Sequence, residues 1–296
     1  MRILISGSTG LIGSALTDAA VAAGHTTLPL VRKRGVRSSI YWDPETGVMD
    51  TAGLEDIDAV VHLAGESIAA RRWTAAQKTR ILDSRTKSTG LLASVLARMS
   101  RRPPVLVSAS AIGYYGDRGD ATLTENSQSG TDFLSHVCRE WERATQPASE
   151  AGIRVVHLRT GIVLARAGGA LPKMVTPFKL GVGGKIGSGA QYMSWIDLED
   201  EIQVILHCIR EASLQGPVNS VGPTPVRNVE FAQTLGRVLS RPALFPLPAF
   251  VARLAFGEMA DALLLSSQRV ESTKLLASGY TFRHTNLEQT LRRILR

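Results

Sequence analysis

A chain of 296 residues, 44% hydrophobic and 20% charged, can bury a full core and predicts one α/β unit with a smaller lobe. Its net charge of +8 comes from basic residues set singly or in short groups, without interleaved aromatics or a zinc-finger or helix-turn-helix pattern. That speaks against nucleic acid and for a general attraction to anionic ligands. No run approaches the ~18 apolar residues of a membrane span, and the N-terminus is consumed by the first strand. Cys138 and Cys208 show no metal or redox spacing, so a cytoplasmic protein without a metal or membrane partner is expected.

In chain order, Ile3 to Ile5 reads as a short buried strand. Gly7, Gly10 and Gly13 then repeat as G-x-x-G-x-x-G, and Leu16 to Ala23 continues as an alanine-rich amphipathic helix. Glycines at this spacing permit a tight turn, close approach of backbone to a pyrophosphate, and close packing of helix on strand. The emerging helix offers free N–H groups to phosphate. Gly7, Ser8, Thr9, Gly10, Leu11, Ile12 and Gly13 are therefore the predicted cofactor turn.

Thr26 to Val31 is the second strand, and Arg32-Lys33-Arg34 follows it with no acidic residue in reach. NAD binders usually place a carboxylate there for the ribose 2′-hydroxyl, whereas a guanidinium can grip the extra phosphate of NADP(H). Arg32 is taken as that group, the alternative being a solvated basic loop. A strand from Ala59 to Leu63 ends in small residues, so Leu63, Ala64 and Gly65 are expected beside the cofactor. His62 reads equally as a core histidine or a cofactor contact. Ala75 to Met99 is a long helix. The strand Val105 to Ala109 carries Ser108 and Ser110 towards the ligand edge.

Asp132 to Ala151 reads as one helix ended by Gly152, and Arg154 to Leu158 as another buried strand. Residues 168–189 hold seven glycines and few apolar anchors, which predicts a loop over a ligand. Beyond it come a strand (192–196), helices (198–212 and 228–239), a proline-marked turn (242–248) and an apolar helix from Phe250 to Leu265. Helices alternating with strands predict a doubly wound parallel sheet of the Rossmann type. Residues 1–165, with strands returning from the later chain, would bind the nucleotide, and 166–296 would close over it. The apolar tail could also serve as a homodimer surface.

Taken together, these features resemble the extended short-chain dehydrogenase/reductase superfamily, the NAD(P)-dependent epimerases and dehydratases. The resemblance rests on Gly7/Gly10/Gly13, the His62 to Gly65 strand end, Ser108 to Ser110, Tyr115-Gly116, Gly187 to Gln191 and Trp195 to Asp200. Leu63 to Glu66, Arg72-Trp73, Ser84-Arg85, Ser194-Trp195 and Gly257 to Met259 are similar to one branch, the epimerase-family or SulA-like cell-division-inhibitor proteins with their own C-terminal domain. The resemblance implies hydride chemistry on a small-molecule substrate.

It also exposes departures. The superfamily's Tyr-x-x-x-Lys pair should fall on the 131–142 stretch, where Phe133 and Val137 stand instead, and neither can transfer a proton. Ser110 is the best match to the superfamily's serine, with Ser108 second; Arg85 occupies the place of a helix asparagine. With Tyr115 as proton donor and Glu66 as acid, these form the candidate catalytic set. Met193 takes the position of an arginine that binds sugar-nucleotide diphosphate, which argues against that substrate. The expected function is an NADP(H)-dependent oxidoreductase for a small carbonyl or alcohol. A catalytically reduced NADP(H) sensor or division-linked binding protein is the alternative, and a nucleotide-sugar epimerase comes third.

Overall fold

The computed structural model describes residues 1–296 as a doubly wound α/β sheet capped by a helical lobe. Its first half runs β1 (Arg2–Ser6), α1 (Leu11–Ala22), β2 (Thr26–Val31), β3 (Ile40–Asp43), β4 (Val48–Met49), β5 (Ala59–His62), α2 (Ala75–Arg98) and β6 (Val105–Ala111). Then follow β7 (Thr122–Leu123), α3 (Phe133–Arg143), α4 (Gln146–Glu150), β8 (Arg154–Thr160), β9 (Ile162–Leu164) and α5 (Leu171–Lys179). The rest comprises β10 (Tyr192–Met193), β11 (Trp195–Asp197), α6 (Leu198–Arg210), β12 (Gly216–Ser220), β13 (Val226–Arg227) and α7 (Asn228–Leu239). The tail holds α8 (Ala249–Phe256), α9 (Glu258–Ala260), β14 (Arg269–Val270), α10 (Thr273–Ala277) and α11 (Leu287–Leu295).

The main sheet has the order β12-β8-β6-β5-β1-β2-β3-β4, parallel except where β4 pairs antiparallel to β3. Its strands are near-continuous apolar runs because helices cover both faces. Ile3, Ile5, Val61 and Val107 point to the α1/α6 side, and Leu4, Val60, Leu106 and Val155 to the α2/α4 side. From β1 the chain winds outward through β2, then returns to place β5 on β1's other flank. That reversal opens a crevice at the carboxyl ends of β1 and β5, where ligands of such folds bind.

Several local expectations are corrected. The glycine-rich segment contains a helix, α5, whose Leu171, Val175 and Phe178 are buried in the lobe's own core around Trp195, Phe231 and Leu291. The stretch 132–151 is two helices, parted at Ala144–Thr145 ahead of Pro147. The strand at 192–196 breaks at Ser194, its halves joining different partners, β13 and β9. The apolar tail helix stops at Gly257, whose φ of 63° an L side chain would strain. The later chain does return to the sheet, through α6 and the edge strand β12. No helix is long and apolar enough to cross a membrane.

Candidate functional site

The crevice begins with backbone. Gly7 adopts φ 69°, and a Cβ there would sit 2.9 Å from the carbonyl carbon of Leu63. A Cβ on Gly13 would lie 2.1 Å from the Gly7 carbonyl oxygen. The Gly10 N–H donates to that oxygen at 3.0 Å. Turn, neighbouring strand end and helix are thus in contact only because three side chains are missing. Helix α1 starts from Gly10 with no side-chain cap and no acid in its first turn, leaving its N–H groups for an anion. Leu11 packs against Gly168 and Gly169, so part of the glycine-rich segment covers the turn. Around the same turn Thr9 is exposed, Ser8 is half-buried, and Ile12 packs half-buried against the core.

Polar contacts beneath the turn fix its far wall. Ser6 Oγ lies 2.6 Å from His62 Nδ1 and accepts from the N–H groups of Leu63 (3.1 Å) and Ala64 (3.3 Å). His62 Nε2 meets Ser88 Oγ at 3.2 Å, tying β5 to α2. His62 is fully buried, and that burial pushes its imidazole down to about 3, so it stays neutral. It is a core histidine that braces the turn, not a ligand contact. Arg32, Lys33 and Arg34 leave β2 into solvent, with the Arg34 guanidinium 3.8 Å above the Tyr41 ring. The cradle therefore fits a dinucleotide pyrophosphate, with free cations at the neighbouring strand end.

Next to the cradle lies a cavity of about 210 Å³, enclosed by the carboxyl end of β6, one face of α3 and the lobe. Fifteen of its 24 lining residues are hydrophobic, among them Ala111, Val137, Trp141, Met193 and Leu264. Three contacts join the 66–78 segment to the lobe. Arg72 donates to the Leu254 carbonyl at 3.1 Å, Lys173 to the Ala69 carbonyl at 3.2 Å, and Lys78 pairs with Glu258.

Residues 3–222 match the family described as NAD dependent epimerase/dehydratase. The chain belongs to that family. Residues 247–294 match a domain of unknown function, DUF1731. An epimerase family protein of Mycobacterium bovis, Mb2239, is 46% identical over 290 residues, 98% of this chain and 96% of its own. The crystal structure of human epimerase family protein SDR39U1 (isoform 2) with NADPH superposes with a TM-score of 0.92 at 37% identity, covering 99% of both chains. A nucleoside-diphosphate sugar epimerase from Corynebacterium glutamicum gives 0.84 at 37% identity, over 100% of this chain and 58% of that one.

The predicted catalytic set does not converge on this family member's cavity; Arg85 alone of the four lines it. Ala111 lines the cavity, whereas Ser110 does not and sits behind its α3 wall, beside Cys138. There its hydroxyl donates to Glu142 at 2.7 Å. Glu142 also accepts from Nε and Nη2 of Arg159, each at 2.9 Å. Tyr115 is withdrawn altogether: it is 0% exposed, donates to Asn219 Oδ1 at 2.6 Å and accepts from Arg159 at 3.1 Å. Burial raises its pKa, the opposite of what an acid–base phenol needs.

Ser108 is likewise buried inside the sheet rather than set at the cofactor surface. Glu66 keeps its carboxylate at the exposed rim and contributes its backbone carbonyl to Arg85 at 3.0 Å. Gly65 does reach the site, where a Cβ would stand 3.3 Å from the Arg85 guanidinium carbon. Of the two residues replacing the family's Tyr-Lys pair, Val137 lines the cavity, while Phe133 packs edge-on against Trp73 at 5.1 Å. Burial pushes the Cys138 thiol in the wall up to about 12, so it keeps its proton.

Sequence reasoning missed Ala111, Cys138, Trp141 and Ser266 as wall residues. The 3–4 residue spacing of Leu134, Val137, Cys138 and Trp141 was the available signal, since it puts all four on one face of α3.

Proposed function

We propose that this protein binds NADP(H) across the crevice between β1 and β5 and oxidises or reduces a small, mainly apolar alcohol or carbonyl. The observation that carries this reading is the enclosed apolar cavity at the sheet's carboxyl edge, joined to the glycine cradle through Gly65 and Arg85. Gly7 to Gly13 hold the pyrophosphate, Leu63 to Gly65 border it, and Arg32 pairs with the 2′-phosphate. The NADPH bound to the human relative supports the same choice of cofactor. When bound, NADP(H) supplies or accepts a hydride. Ala111, Val137 and Met193 exclude water from the reacting face. Met193 stands where the resemblance places a diphosphate-binding arginine, so a sugar nucleotide is disfavoured.

One observation favours a second reading, a cofactor-binding sensor or partner protein without turnover. Ser110, Tyr115 and Glu66 stand outside the cavity wall, and Cys138 there holds its proton. Calorimetry and single-turnover absorbance separate the two. Wild-type protein is expected to bind NADPH at least about tenfold more tightly than NADH, with Arg32→Glu erasing the preference. Equal affinity for both overturns the role of Arg32, and no heat from either overturns the whole reading. NADPH binding without absorbance loss across a panel of small aldehydes and ketones selects the sensor.

A further inference from the structure

Arg85 is the only charged residue among the cavity's 24 lining residues. Its guanidinium lies 4.9 Å over the Trp141 ring, and its Nη1 donates to the carbonyls of Ile81 and Glu66, each at 3.0 Å. Those two backbone oxygens are its only acceptors, so one arm is anchored and Nε and Nη2 remain available. No carboxylate pairs with it directly, and the Glu66 carboxylate attracts it only from the exposed rim. Burial lowers its pKa, and Glu66 offsets part of that shift. A half-buried cation with two unpaired N–H groups is placed to receive an anion.

Trp141 itself is 6% exposed, and its indole N–H has no protein partner. The hydroxyl of Ser266, in the lobe's part of the wall, also lacks one. Three donors of this kind in a mainly apolar cavity describe a ligand with one anionic end and a hydrocarbon body.

We propose that the cavity recognises a small organic acid, its carboxylate paired with Arg85 and its aliphatic part against Met193 and Leu264. Resting on the functional reading above, this narrows the substrate to an apolar oxo or hydroxy acid. A planar carboxylate suits the fork of free guanidinium N–H groups, whereas a neutral ketone would leave the cation unpaired. The cofactor's own phosphate is the other anion within the site, and the experiment separates the two.

Calorimetry on the full-length protein would first measure NADPH affinity. The NADPH-saturated protein would then be titrated with 4-methyl-2-oxopentanoate and, separately, with 4-methyl-2-pentanone, its neutral counterpart. The oxo acid is expected to bind at least about tenfold more tightly than the ketone. Arg85→Met should abolish that preference and Arg85→Lys retain part of it, with NADPH affinity unchanged in both. Equal binding of the two probes, or binding of neither, overturns the proposal while leaving the cofactor reading intact. Loss of NADPH affinity in Arg85→Met overturns it too, by assigning the guanidinium to the cofactor phosphate. Failure of the wild type to bind NADPH defeats the functional reading instead.

Discussion

The turn around Gly7 is built from main chain, and the cavity beyond Gly65 is built from side chains. At the turn, three glycines, one positive φ and a buried Ser6–His62–Ser88 link set a shape that depends on atoms being absent. At the cavity, the same sheet edge presents Ala111, Val137, Trp141 and one cation. Substitution in the first region acts by collision, and in the second by changing what the space attracts. A family can therefore keep its cofactor cradle while rewriting its chemistry, because the two requirements rest on different parts of the polypeptide.

The comparison is broken most sharply at Gly13. Gly13→Ala forces a Cβ to within 2.1 Å of the Gly7 carbonyl oxygen. It is expected to cost about 3 kcal/mol of stability and roughly a hundredfold in NADPH affinity, read by denaturant titration and calorimetry. Wild-type affinity in that variant would show that the turn yields, and that its shape is not what binds.

On the cavity side, Glu201 accepts from Thr160, a wall residue, at 2.9 Å and from Ser220 at 2.6 Å. Burial raises its pKa from 4.5 to about 7. The folded state thus holds a proton that the unfolded chain releases, so its contribution is present below pH 4.5 and lost as pH climbs through about 7. Glu201→Gln should stabilise the protein at pH 8 by on the order of 2 kcal/mol and by little at pH 4.5. Equal differences at both pH values in urea titrations would dismiss the buried proton.

The smallest effect belongs to Tyr115. Tyr115→Phe strands Asn219 Oδ1 and an Arg159 N–H, so a loss of about 1 kcal/mol is expected, with NADPH affinity and any turnover unchanged. A fall in turnover at constant stability would return the phenol to the reaction.

Much of the scaffold could be read from residues alone. The range Thr26–Val31 and the helix Asn228–Leu239 emerge with the predicted bounds, because both are apolar patterns ended by strong punctuation. The cradle was equally legible, since glycine spacing is a statement about backbone. The cavity was not. Ser110 and Ala111 differ by one step along β6, and the packing of α3, which ties Ser110 to Glu142, decides which of them lines the cavity. Tyr115 was expected as a proton donor, but Arg159 and Asn219, distant in sequence, close over it. Helix α5 was hidden by the seven glycines around it and by Pro172 and Pro177, although its Leu171, Val175 and Phe178 follow a helical period.

The contacts between the 66–78 segment and the lobe bear on how the molecule comes into being. Leu254 and Glu258 meet residues laid down long before them, and Ser266 is later still. The nucleotide turn waits as well, since β1 and α1 share their core with α6 and with Leu275 and Phe282 of the tail. During synthesis, cradle and compartment therefore come together as one cooperative unit, after most of the polypeptide has left the ribosome.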